Sequence, residues 1–161
     1  LSDHYDPRAN VIRLSETVYG VRSIAAVGVA AHETGHAMQY AQGYAPIQIR
    51  NAIVPVTRIA SGVSIYMVLF GLLFWEPLAM LGVAFFGFSV VFQLLTLPVE
   101  FNASSRAMKA LRESGVLTEE ELSGARKVLT AAAMTYVAAL FLSLMSFLRL
   151  LLIVGGRRRN D

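Results

Sequence analysis

The sequence predicts a mainly α-helical, integral-membrane fold with about three transmembrane helices. A small edge β-strand or hairpin precedes a helix that carries two of the three histidines. Three observations lead there. Hydrophobic residues make up 55% of the 161 positions and charged residues only 16%, with a mean hydropathy of +0.54; soluble chains carry about 25% charge. Three stretches, residues 59–75, 77–99 and 128–148, run for 17, 23 and 21 residues without a charge, and roughly 20 apolar residues cross a bilayer as a helix. The remaining polarity is gathered into two islands, residues 1–20 and 100–127.

The elements follow in order. Asp6-Pro7-Arg8-Ala9-Asn10 reads as a turn. Val11-Ile12-Arg13-Leu14-Ser15 alternates apolar and polar, the period of a half-buried strand. Over residues 22–42 the period changes. Ile24, Val27, Ala31 and Met38 among many alanines suit a buried helix, and Gly43 is placed to stop it. Ile53-Val54-Pro55-Val56 extends the first apolar stretch, with Arg58 able to snorkel. Trp75-Glu76-Pro77 is a tight polar break with an interfacial aromatic, so the first two stretches form a hairpin. A soluble bundle would instead show a polar stripe; within 77–99 only Ser89, Gln93 and Thr96 are polar. Glu100 to Glu113 fits a helix with Ala103, Ala107, Ala110 and Leu111 inward. Thr118 then caps another, with Glu121 completing a capping box.

We therefore read residues 1–161 as a single membrane-embedded domain in four parts. These are a strand and histidine helix (1–52), a transmembrane hairpin (53–99), a polar helical region (100–127) and a last transmembrane helix (128–154). The chain opens on Leu1 with residues that already read as folded structure, so the natural protein is expected to carry a further N-terminal part.

Composition narrows the chemistry. The absence of cysteine removes disulfides, thiolate zinc sites and cysteine nucleophiles. The net charge of +3 is scattered apart from Arg157-Arg158-Arg159, with no basic and aromatic stripe for nucleic acid. The apolar stretches lack the charges of a transport path.

Ala30-Ala31-His32-Glu33-Thr34-Gly35-His36-Ala37 contains H-E-x-x-H. On a helix His32 and His36 share a face, so their imidazoles can converge on one Zn2+ ion. Glu33, beside the first ligand, can take a proton from a metal-activated water without occupying the metal, which makes it the candidate catalytic base. Gly35 leaves room for substrate or another backbone. Burying three titratable groups among alanines without a metal would be costly. A catalytic zinc needs a third protein ligand. Glu76 sits at the far end of the hairpin, and Glu119 to Glu121 read as a solvated first turn. Glu100, the first charge after the hairpin returns, is the candidate third ligand; its alternative role is a carboxylate stabilising a helix N-terminus.

These motifs carry a resemblance. His32-Glu33-Thr34-Gly35-His36, the membrane hairpin and Glu100-Phe101-Asn102-Ala103-Ser104-Ser105-Arg106-Ala107 resemble gluzincin-type membrane proteases. More narrowly, they resemble the bacterial YugP-like neutral zinc metallopeptidases; Leu1-Ser2-Asp3-His4-Tyr5-Asp6-Pro7-Arg8 and Leu14-Ser15 fit that family too. The pattern is also similar to HtpX and CAAX-processing proteases, which share E-x-x-A-D after the hairpin. Glu100 and Ala103 match it, and Ser104 stands at the aspartate's place. That aspartate is expected to orient a ligand histidine; Ser104 and Asn102 are the candidates here.

Four further expectations complete the reading. Val11 to Leu14 is either an edge strand for an extended substrate or a purely structural strand. His4 or Tyr5 either donates to the scissile carbonyl or shapes the turn. Arg106 either binds substrate or pairs with a carboxylate. Arg50, Arg58, Arg126 and Lys127 favour a cytoplasmic active site in a bacterial cell membrane, although the arginine triplet argues the other way. The function expected is a membrane-bound zinc endopeptidase acting on a membrane-associated peptide or protein substrate. The rivals are a non-catalytic adaptor built on a degenerate protease, or another membrane protein with incidental zinc. Oligomeric state is not legible.

Overall fold

The computed structural model describes residues 3–157; Leu1, Ser2, Arg158 and Arg159 of the motifs above lie outside them. The described residues are mainly helical, with one small sheet.

Two short strands come first, β1 (His4–Asp6) and β2 (Val11–Arg13), paired antiparallel with Tyr5 opposite Ile12. The turn between them is built by Asp6. Its carboxylate accepts the backbone N–H groups of Arg8 (2.9 Å) and Ala9 (3.3 Å), and Asn10 takes a positive φ of 52°. Those hydrogen bonds favour the charged form and hold the Asp6 carboxyl below the usual carboxylate range. Asp3 closes the segment by accepting the Ser15 N–H at 2.7 Å. The pair is the expected hairpin, although the sequence placed only its second strand. Three residues, His-Tyr-Asp, are too few to display an alternation.

Helix α1 spans Ile24–Ala41. Ser23 starts it from an extended conformation, its hydroxyl accepting the Ala26 N–H at 3.1 Å. Gly43, at φ 62°, ends it, and the Tyr44 N–H returns to the Gln39 carbonyl. Helix α2 spans Ala45–Phe74, α3 Glu76–Ser114 and α4 Glu119–Arg157. The start of α4 is a reciprocal cap. The Thr118 N–H donates to Glu121 at 2.8 Å, and the Glu121 N–H donates to the Thr118 hydroxyl at 3.3 Å.

One expected boundary is absent. Glu100 does not begin a helix, because α3 runs unbroken through Pro98. A proline inside a helix removes only its own N–H donor and crowds the preceding turn. Apolar stretches tolerate it where neighbouring groups satisfy the freed carbonyl. Glu100 therefore lies well inside α3, which removes the reading of it as a carboxylate stabilising a helix N-terminus.

Contacts divide the described chain into two compact units. The first joins the residues up to Gln48 with Leu97–Thr135. Its apolar centre is Ala31, Ala107 and Leu129, with Met108 and Leu111 against it. The second joins Ile49–Thr96 with the residues from Tyr136 onward, around Val68, Ala79, Val83 and Val154. Within the second unit α2 and α3 approach closely, since a Cβ at Gly82 would meet the Ser64 carbonyl at 2.8 Å. Ser61 and Ser89 hydrogen-bond at 2.7 Å. Small residues and interhelical hydroxyl pairs are how helices associate without a hydrophobic drive.

Three of the helices are long and apolar enough to cross a membrane: Ala45–Phe74, Glu76–Ser114 and Glu119–Gly156. Their side chains stay uncovered, with Phe74 78%, Leu152 75%, Leu73 72% and Leu142 66% exposed. Leaving such side chains in water forgoes roughly 1.5–3 kcal/mol each, so an apolar surrounding suits these surfaces.

Candidate metal centre

The site lies in the first unit, where α1 meets α3. Contact between them depends on Gly35, because a Cβ there would sit 2.3 Å from the Ala103 carbonyl oxygen. No larger residue fits without moving a backbone. This approach brings the one-face pair His32 and His36 against Glu100, which lies three residues before Ala103.

The three side chains converge. His32 Nε2 is 3.1 Å and His36 Nε2 3.6 Å from the same oxygen, Glu100 Oε2. One ligand atom from each lies within 4.8 Å of the other two. The side chains are 16%, 12% and 4% exposed respectively. The donor set fits zinc on two counts. Two imidazoles and a carboxylate are zinc's habitual non-thiolate ligands. Tetrahedral ligands at about 2.0–2.1 Å lie roughly 3.3 Å apart, and the two histidine–carboxylate distances bracket that value.

The other ring nitrogens are also engaged. His32 Nδ1 is 3.1 Å from the Ser104 hydroxyl. His36 Nδ1 is 3.0 Å from Gln39 Oε1. Burial opposes the charged form of His36, but the Glu100 carboxylate beside it and the hydrogen bond to Gln39 outweigh it and raise the imidazole's pKa.

Glu33 is buried and takes no part in that triangle. Its Oε2 accepts the backbone N–H of Tyr5 at 3.0 Å. The outer edge of β1, not β2, thus meets the glutamate. Tyr5 enters the site through its backbone, while its hydroxyl donates to Asn10 in the turn at 2.7 Å and its ring packs on Tyr40, centroids 5.3 Å apart. His4 lies exposed on β1 opposite Arg13. Asn102 is hydrogen-bonded to neither His32 nor His36; its Oδ1 accepts from Gln39 Nε2 at 3.0 Å and from Arg106 Nε at 2.6 Å. Arg106 meets amides and a ring rather than a carboxylate, donating also to Gln42 Oε1 and lying 5.5 Å over Tyr44.

Gln39 is the residue that sequence reasoning passed over. It is 0% exposed and makes three hydrogen bonds. The available signal was its place three residues after His36, on the same helix face, as a long polar side chain in an alanine-rich helix.

Comparison with known proteins bears on the same residues. Residues 1–155 match the family described as "Putative neutral zinc metallopeptidase". The chain belongs to this family. It is 49% identical over 162 residues to a Bacillus subtilis (strain 168) protein named "Putative membrane protease YugP", covering 99% of this chain and 72% of that protein. No solved structure matches the chain.

Proposed function

We propose that this protein is a membrane-bound zinc endopeptidase, with His32, His36 and Glu100 holding the metal and Glu33 as general base. The observation that carries the reading is the convergence of both imidazole Nε2 atoms on one Glu100 oxygen, at 3.1 and 3.6 Å, in a chain of this family. Zinc held there supplies Lewis acidity, polarising a peptide carbonyl and making a water nucleophilic near neutral pH.

The chain's own residues do the rest. Glu100 brings a negative charge to the metal position, and Ser104 and Gln39 hold the two rings from behind. Glu33, one residue along α1 from His32, takes the proton of the attacking water on its carboxylate and passes it to the leaving amine. The Tyr5 N–H restrains that carboxylate without protonating it. The three long apolar helices support a membrane location, and Arg50, Arg58, Arg126 and Lys127 favour a cytoplasmic site. A membrane-associated peptide or protein is the substrate class that fits this placement. The E-x-x-A pattern of Glu100 and Ala103 supports a wider kinship with HtpX and CAAX-processing proteases.

The test is Glu33→Gln in the detergent-solubilised full chain, assayed for zinc content and casein hydrolysis. Loss of a positioned general base costs roughly 10²–10⁴-fold in rate, so hydrolysis should collapse while zinc stays at the wild-type level. Undiminished cleavage would remove Glu33 from the role. Zinc-loaded wild type that cleaves nothing would favour the adaptor reading.

A further inference from the structure

One buried polar chain runs from the surface to the back of His36, and each of its links has only one chemically possible direction. Arg106 is its outer end. A guanidinium only donates, so the Asn102 atom 2.6 Å from Arg106 Nε must be the carbonyl oxygen. That same oxygen lies 3.0 Å from the Gln39 amide, which must therefore present its NH₂ there. The Val99 backbone carbonyl, 2.8 Å from the same Gln39 nitrogen, demands the same orientation. Both protons of the amide are then used, and its oxygen is left facing His36 Nδ1 at 3.0 Å. A carbonyl oxygen only accepts, so Nδ1 must carry the proton. In a neutral imidazole this leaves the lone pair on Nε2, the atom that points at Glu100.

We propose that Gln39 is a positioning residue that locks His36 in the Nδ1–H tautomer, and that Asn102 and Arg106 fix the direction of its amide. The inference rests on the zinc-site reading above and adds residues to it. His32 is held differently. Its Nδ1 faces the Ser104 hydroxyl, which donates or accepts equally well and so dictates no tautomer. The two metal ligands are therefore not equivalent: His36 is preset, whereas His32 adapts.

The arrangement also explains why a glutamine is fully buried in an alanine-rich helix. A buried amide is costly unless its donors and acceptor are satisfied, and here all of them are, across two helices. The outer end is anchored where α1 passes into α2. Gln42 accepts from Arg106, and the Tyr44 ring lies under the guanidinium. Any shift of that connection would reach His36 through three hydrogen-bonded side chains.

The test uses the metal-stripped full chain in detergent, titrated with zinc against a competing chelator. Gln39→Met keeps length and packing but loses the acceptor and both donors. Gln39→Glu keeps an acceptor for Nδ1–H but loses both donors to Val99 and Asn102. Partners of ligand histidines are worth roughly 10–100-fold in metal affinity, so Gln39→Met should weaken zinc binding by that factor while Gln39→Glu stays within a few-fold of wild type. Arg106→Met, one link further out, should weaken binding by less than Gln39→Met does. The melting temperature of each metal-free variant reports on folding separately. Zinc affinity of Gln39→Met equal to wild type would overturn the proposal. So would a Gln39→Glu variant as weak as Gln39→Met, which would mean that the donors matter and the acceptor does not. Failure of wild type itself to bind zinc would instead sink the metal-site reading.

Discussion

Glu33 and Glu100 are both buried carboxylates, yet their partners separate them. Glu100 has an imidazole nitrogen on either side of one oxygen; Glu33 has a backbone N–H from a strand. A ligand and a base are expected to differ in this way, and they should respond differently to removal. On the proposed reading Glu100→Ala takes away one of three protein ligands, so zinc affinity in a chelator competition should fall by at least tenfold, more than for Gln39→Met. An unchanged affinity would take Glu100 out of the ligand set. At this scale the sequence was most informative where chemistry needs a fixed spacing. His32 and His36 are legible because four residues is one helical turn. Glu100 is legible only through topology, because no spacing ties residue 100 to residue 36. Gln39 was only weakly legible, from its place one turn after His36, since a single glutamine in a helix reads as a surface residue until the partner helix shows that Val99 and Asn102 cover it. Arg106 was open between substrate and carboxylate because the pairing of its guanidinium depends on Gln42 and Tyr44, which arrive through a loop.

Among the elements, the helix ends were written in local signals and the helix crossings were not. Gly43 and the Thr118–Glu121 box act within one turn of themselves, so they were read off in order; Ser23 acts as locally but was not singled out. A hairpin was foreseen, but the bounds of β1 were not, because it is three residues long and gains its identity only by pairing with β2. The continuity of α3 escaped because the change from apolar to charged residues at Glu100 reads as an element boundary, whereas the helix runs on through it. The α1–α3 crossing rests on Gly35, whose missing side chain lets the Ala103 carbonyl approach. Gly35→Ala should therefore damage both the fold and the site. Overpacking of this kind costs roughly 1–3 kcal/mol or more, although alanine is the better helix former. A lower melting temperature and weaker zinc binding are expected together. A variant as stable as wild type with full zinc affinity would show that the two helices need not meet so closely.

For the molecule as a whole, composition and the three uncharged stretches already foretold a mainly helical chain with helices able to cross a membrane. Hydrophobic length survives any detail of packing. What they could not foretell is the division of contacts into two units, with the histidines, Glu33 and Glu100 all in the first. Helices α2, α3 and α4 each contribute residues to both units. The polar islands thus assemble into the site-bearing unit, and the apolar stretches supply most of the other.

Removal and return of the metal tests the central claim most directly. Purified wild-type chain in detergent micelles should contain one zinc per chain and hydrolyse casein. Stripping the zinc with a chelator should abolish hydrolysis, and stoichiometric zinc should restore it. Hydrolysis that survives complete removal of the metal would contradict the account.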